Sequence, residues 1–279
     1  MADGSVDPRP IGMFDSGVGG LTVLHECLVA LPEEDFIYLG DTGRFPYGPK
    51  PAAEIRGYAS QIASHLLSLD VKLLVVACNS ATAAALPWLQ ERLEASIIGA
   101  VHPEAEAAVK ITRNRRVGVL ATEATVASGS YERALLGLDA GLEVHSQPCP
   151  KLASLIQSGD VSSPEMVDTV KDYAAPLKEA GVDTVILGCT HYPLVSPMLQ
   201  RIFGKNVTLV NSARETAREV GDTLARKGIA NEPGREGRYS FLCTGDVDAF
   251  VGVGARFLQM PFDDVRHVEI TELERMGVA

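Results

Sequence analysis

Two stretches, LLVVACNSAT at residues 73–82 and TVILGCTHYP at 184–193, decide how this chain is read. Each is a short run of Val, Ile and Leu that ends in a cysteine and then small polar residues. The apolar residues do not alternate with polar ones, so both faces of each strand need cover, as in parallel strands flanked by helices. Working outward, runs of the same kind are IGMFD at 11–15, FIYLG at 36–40, SIIGA at 96–100, RVGVLA at 116–121, LEVHS at 142–146 and VTLV at 207–210. Helical patterns fall between them, at 53–69, 83–94, 104–113 and 165–180. Alternating strands and helices predict an α/β sandwich, and the two matched strand sets predict two similar units. The two cysteines are separated by about the length of a small domain. Ligands in open α/β sheets gather at the carboxyl ends of the strands. The expected arrangement is therefore two thiols facing one another across a cleft between units. After residue 212 the chain reads as a helix (ARETAREVGDTLARKG), a polar loop (NEPGREG) and a strand (YSFLCT). Periodicity alone does not place this tail against either unit.

Of the 279 residues, 46% are hydrophobic and 22% charged, an ordinary globular composition with enough apolar side chains for a real core. The net charge of -11 disfavours a nucleic-acid partner, because an acidic surface repels phosphate. No apolar run reaches about 18 residues, so no membrane-spanning helix is expected. The opening MADGSVDPRP is polar and lacks the apolar stretch of an export leader. The five cysteines, Cys27, Cys78, Cys149, Cys189 and Cys243, form no C-x-x-C pair and have no zinc-finger spacing to histidine. No metal site and no disulfide framework are expected, and a reducing cytoplasm is the simplest location.

Cys78 and Cys189 are the first candidates for chemistry. A thiolate is a good base and nucleophile when donors lower its pKa from about 8.5, and strand ends supply helix N-termini and turn amides. A buried structural cysteine is the plain alternative for either one, and the matched contexts argue against it for the pair. Small hydrogen-bonding residues follow four strand ends in succession: Asp15-Ser16, Asp41-Thr42, Asn79-Ser80 and Thr190-His191. Such a ring suits a ligand with an ammonium and a carboxylate. Asp15 has an alternative reading as a helix cap, and Thr42 as a turn residue. His191, two residues past Cys189, can tune that thiol or assist proton transfer, with a structural histidine as the plain alternative. Gly17, Gly19 and Gly20 miss the third glycine of the dinucleotide fingerprint and lack the lysine of a P-loop. A tight turn with close backbone approach explains them. Cys27 reads as core, and Cys149 and Cys243 as structural. A cysteine hydrolase needs one thiol, a base and an oxyanion site, and leaves the second thiol unexplained. Inverting a stereocentre uses both: one group removes the α-proton on one face and the other returns a proton on the opposite face.

The segments FDSGVGGLTVL (14–24), DTGRFPYG (41–48), ACNSATA (77–83), LGCTHYPL (187–194) and, more weakly, NSARETA (211–217) resemble those of the bacterial glutamate racemases, within the aspartate/glutamate racemase superfamily. The resemblance runs from about residue 11 to about 270, and CNSA together with GCTH favours the glutamate over the aspartate branch. It implies two α/β domains, one of 1–102 with 212–279 and one of 103–211, with the active site between them. It implies Cys78 as the base for the D enantiomer and Cys189 as the base for the L enantiomer, assisted by Asp15 and His191 respectively. It further implies glutamate held through Asp15-Ser16, Tyr47-Gly48, Asn79-Ser80 and Thr190-His191, no cofactor, and a homodimer. The D-glutamate formed would supply peptidoglycan synthesis. In one place the chain departs from the pattern. Within CPKLASLIQSGD (149–160), Gln157 stands where the family usually has glutamate, which puts an acid/base role there in doubt. An aspartate racemase, a thiol hydrolase and a non-catalytic binding protein are the remaining alternatives.

Overall fold

The computed structural model describes residues 6–277, so half of the opening decapeptide read above lies outside the described residues. Ten strands form two sheets. They are β1 (Ile11–Asp15), β2 (Phe36–Gly40), β3 (Leu73–Val76), β4 (Ile97–Gly99), β5 (Arg116–Ala121), β6 (Glu143–Pro148), β7 (Thr184–Gly188), β8 (Thr208–Asn211), β9 (Tyr239–Cys243) and β10 (Val265–His267). The helices are α1 (Leu21–Ala30), α2 (Ala52–Ser68), α3 (Asn79–Arg92), α4 (Val101–Ile111), α5 (Glu123–Ala127), α6 (Ser130–Leu138), α7 (Leu152–Gln157), α8 (Pro164–Glu179), α9 (Ser196–Phe203), α10 (Ser212–Lys227), α11 (Val247–Leu258) and α12 (Ile270–Glu274). The first sheet has the order β10-β9-β2-β1-β3-β4 and the second β6-β5-β7-β8. Every pairing in both is parallel, as the uninterrupted apolar runs require.

Burial follows the strand pattern. β1, β3 and β7 are buried along their whole length, whereas the edge strand β6 is exposed or half-buried throughout. One apolar cluster joins α1, α10 and α11 to residues of β7, α8 and α9, so the two sheets share a core. A second fills the α2–α3 face of the first sheet, and a third packs α4 and α6 on the second. The tail that periodicity left unplaced returns to the first sheet: β9 pairs with β2, and α10 packs on both α1 and α4.

Two registers place the chemistry. Asp15 ends β1 level with Gly40 of β2, and Phe14 lies level with Val76 of β3. In the second sheet Ala121 of β5 lies level with both Pro148 of β6 and Gly188 of β7. Residues just past these ends therefore share one rim: Ser16 and Cys78 on the first sheet, Thr122, Cys149 and Cys189 on the second. α3 begins at Asn79, four residues before the expected start. Cys78 is its N-cap, with Sγ accepting from the Ala81 amide at 3.5 Å, so the polar Asn-Ser-Ala-Thr run is the helix's first turn and not a loop. Among the described residues no helix is long and apolar enough to cross a membrane.

Candidate active site

A cavity of about 170 Å³ lies at the facing strand ends. From the first sheet it is lined by Ser16, Tyr47, Gly48, Cys78, Asn79 and Ser80, and from the second by Cys189, Thr190 and His191. Asp15 is the one proposed site residue outside the lining. It lies beneath, fully buried, its Oδ1 accepting from the Gly17 amide at 2.9 Å and its Oδ2 from the Thr190 hydroxyl at 3.2 Å. Asp41 and Thr42 also stay off the cavity wall. Asp41 receives the Tyr47 hydroxyl and the Arg44 guanidinium, and so fixes Tyr47 from behind.

The two halves meet through polar contacts on the cavity wall. The Ser80 hydroxyl lies 2.8 Å from that of Thr122, and the Thr22 hydroxyl donates to the Thr190 carbonyl at 3.1 Å. The glycine turn is packed to its limit. A Cβ on Gly19 would lie 2.3 Å from Thr190 Oγ1 and 2.5 Å from His191 Nδ1, and one on Gly20 would lie 2.5 Å from Asp15 Cβ. Close approach to side chains, with no phosphate involved, accounts for these glycines.

Their surroundings hold both thiols in the neutral form. Burial, reinforced by the Asp15 charge, pushes Cys78 up to about 12 despite the Ala81 and Ser16 donors. Burial likewise holds Cys189 well above the ordinary thiol range, and the charges of Asp15 and Cys78 add to it. Sequence position had pointed the other way, to thiolates stabilised by helix amides. Desolvation outweighs those amides here, because one or two weak donors to sulfur do not replace a water shell. Asp15 is itself raised by burial, above all other causes. Three buried acidic groups gather at one cavity, so additional negative charge calls for a cation from the ligand.

His191 lies between two aromatic rings, 5.6 Å from Phe45 and 5.1 Å from Phe257, centroid to centroid. Burial lowers its pKa to about 3, so the ring is neutral. Gln157 Oε1 lies 2.9 Å from Nε2, which therefore carries the ring proton. The lone pair sits on Nδ1, which faces Cys189 Sγ at 3.9 Å. The imidazole thus presents an acceptor to the thiol. Gln157→Glu is expected to raise the His191 pKa by about 1–3 units, since a carboxylate beside the ring stabilises imidazolium. A ¹⁵N titration of the ring nitrogens reads this directly, and an unmoved titration would mean that Gln157 does not hold the ring.

Several lining residues escaped the sequence reading. Thr122 follows β5 and Cys149-Pro150 follow β6, and all three line the cavity. The strand-end rule that found Asn79-Ser80 would have found Thr122 if applied to β5, whereas Cys149-Pro150 escape it because β6 runs to Pro148, two residues past its expected end. Cys149, read as structural, is a wall residue whose thiol burial pushes up to about 12. Phe45 and Phe257, which hold His191, leave no comparable signal. Cys27 is buried in α1, in keeping with its reading as core.

Comparison with known proteins fits this site. Residues 22–220 match the family model described as Asp/Glu/Hydantoin racemase. A glutamate racemase of Parafrankia sp. is 47% identical over 250 residues, which cover 89% of this chain and 90% of that one. The crystal structure of a glutamate racemase isoform from Bacillus anthracis superposes with a TM-score of 0.91 at 40% identity, covering 94% of this chain and 98% of the other. The glutamate racemase of Francisella tularensis, solved in complex with D-glutamate, superposes with a TM-score of 0.88 at 32% identity, covering 95% and 98%. With a matched cysteine from each sheet on the wall of one cavity, the chain belongs to the Asp/Glu/hydantoin racemase family and is an isomerase.

Proposed function

We propose that the protein interconverts L- and D-glutamate without a cofactor, Cys78 and Cys189 acting as the two acid/base groups. One observation carries the reading: thiols from two different sheets line the same cavity, each with its own auxiliary group. The mechanism follows from the charge balance. The substrate's ammonium compensates one thiolate, which burial alone disfavours. That thiolate removes the α-proton, and the electron pair stays on carbon as a carbanion. The opposite thiol then gives a proton to the other face and becomes the thiolate. The proton count is unchanged, and the thiols have exchanged states. Cys78 takes the proton of the D enantiomer with Asp15 beside it. Cys189 takes that of the L enantiomer with His191 Nδ1 as its acceptor. The site must stabilise the carbanion electrostatically, because the α-proton is far less acidic than a thiol. Amides at the start of α3 and the hydroxyl of Ser16 are the donors at hand.

The wider reading rests on the same family membership. The chain divides into 1–102 with 212–279 and 103–211, works as a homodimer in the cytoplasm, and supplies D-glutamate for peptidoglycan synthesis. Incubation with L-glutamate in deuterated water, without added pyridoxal phosphate or metal and with L-aspartate in parallel, tests the activity. Loss of the α-proton signal and of optical rotation with glutamate alone is expected. Turnover of aspartate instead would keep the mechanism and replace the substrate. Absence of exchange with both would favour the thiol hydrolase.

A further inference from the structure

Beneath Asn79 lies an acid that this mechanism does not use. Glu104 on α4 is fully buried, and no basic group is among those acting on it. Its Oε1 accepts from Asn79 Nδ2 at 2.9 Å, and its Oε2 accepts from the Tyr131 hydroxyl at 2.5 Å. Asn79 Nδ2 also donates to the Tyr131 oxygen at 2.7 Å. Both amide protons of Asn79 are thereby committed, one to each partner. Asn79 Oδ1 is buried with no partner among the described residues. The three residues come from different parts of the fold. Asn79 opens α3 beside Cys78, and Glu104 and Tyr131 sit on α4 and α6, which pack on the second sheet.

We propose that Glu104 is a positioning residue for the reaction: with Tyr131 it locks the Asn79 amide so that only its oxygen remains for the cavity, and it ties the Cys78 helix to the second sheet. This rests on the racemase reading for its kinetic consequence but not for the hold itself. An uncommitted asparagine side chain presents either end to a ligand; a locked one presents an acceptor, suited to an ammonium. Burial, the largest cause, pushes Glu104 up to about 8, and the charge of Glu215 on α10 adds to it. The other groups around it are Tyr131 from α6 and Cys189 at the end of β7, whose charge acts on Tyr131. Glu215 is itself paired with Arg218 at 2.9 Å. With no basic group acting on it, the ionised carboxylate is an uncompensated charge in the seam, increasingly so as pH rises past about 8. In linkage terms the raised folded-state value means that stability falls as pH rises between the ordinary carboxylate range and about 8.

Glutamine keeps an oxygen for the Asn79 amide, and its N–H replaces the oxygen that accepts from Tyr131, so the hold on Asn79 survives while the Tyr131 proton loses its acceptor. Glu104→Gln is therefore expected to keep kcat/KM within about threefold of wild type at pH 7. It should also lack the wild-type component of decline centred near pH 8. Glu104→Ala frees the amide and should lower kcat/KM at least about tenfold, chiefly through KM. Tyr131→Phe, which keeps the ring, should move KM in the same direction and serves if the alanine variant does not fold. Without any substrate, ¹⁵N NMR of the Asn79 side chain should show protected amide protons in wild type and Glu104→Gln, and fast exchange in Glu104→Ala. Wild-type kinetics in folded Glu104→Ala, or equal impairment of the glutamine and alanine variants, overturns the proposal. So does free exchange of the Asn79 amide in wild type. Protected amide protons in a protein inactive toward glutamate would instead uphold the lock and remove the substrate reading.

Discussion

Replacing either active-site thiol by a hydroxyl is expected to lower glutamate racemisation by about 10²- to 10⁴-fold, the usual contribution of a positioned acid/base group. The more telling result is the handedness of what remains. In Cys189→Ser, Cys78 still faces the α-proton of D-glutamate, so in deuterated water the D enantiomer should exchange its α-hydrogen without inverting. Cys78→Ser should show the mirror behaviour with L-glutamate. Each half-reaction uses only one thiol, and a carbanion returned to its own face carries solvent deuterium without a change of configuration. Near-wild-type racemisation in both variants, or the same enantiomer exchanging in both, would refute the two-thiol assignment. The auxiliary groups differ as well. Cys189 has the neutral imidazole of His191 at 3.9 Å, whereas Cys78 has the buried carboxyl of Asp15 nearby. The two residual exchange reactions should therefore respond differently to pH.

The largest effect on stability is expected at Asp41, behind the cavity wall. Asp41 is fully buried and accepts from Arg44 Nε at 2.7 Å, from the Thr244 hydroxyl at 2.6 Å and from the Tyr47 hydroxyl. Arg44 is almost as buried. Its remaining contacts include Gln61 Oε1 at 2.6 Å and the Tyr58 ring, with its guanidinium carbon 4.1 Å from the centroid. Asp41→Ala leaves that guanidinium without a counter-charge in a dry setting, a loss of about 3–5 kcal/mol. The melting temperature should drop by roughly 10 °C. Asp41→Asn keeps the shape and two hydrogen bonds and should lose less. Because Tyr47 lines the cavity, both variants should also raise KM for glutamate. Thermal unfolding decides the matter, and an Asp41→Ala loss under about 1 kcal/mol would show that Arg44 finds solvent on its own.

Most of the architecture could be read from local pattern. Strands buried on both faces announce themselves as unbroken apolar runs, and each of the nine expected strands, YSFLCT included, is present to within two residues at either end. Positions with cavity chemistry were legible wherever a side chain directly follows such a run, because the sheet end itself brings it to the rim. Features made by long-range pairing were not. Nothing in YSFLCT indicates that β9 lies beside β2, since a parallel partner two hundred residues away leaves no periodic trace. Glu104 sits in VHPEAEAAVK, which reads as an ordinary amphipathic helix with glutamates in water, yet one of the two is fully buried. Gln157 was visible only as a departure from a family pattern. Its bond to His191 depends on α7 reaching the rim from the second sheet, which no local signal encodes.

The order of strands in the first sheet also bears on how the protein is made. β5 to β8 and their helices form a contiguous stretch, complete once the chain has been synthesised past Asn211. β2, by contrast, has β1 on one side and β9 on the other, and β9 and β10 are translated only after all of β5 to β8. Until they leave the ribosome, β2 is a bare edge with unpaired amides and carbonyls, the kind of surface that templates wrong pairings. The usual vectorial order, N-terminal part first, is thus reversed for this chain. The segment from β5 to β8 can consolidate first, while the sheet that holds β1 and β2 stays open until β9 emerges, and ribosome-stalled chains ending before β9 should be protease-resistant in the former and cut in the latter.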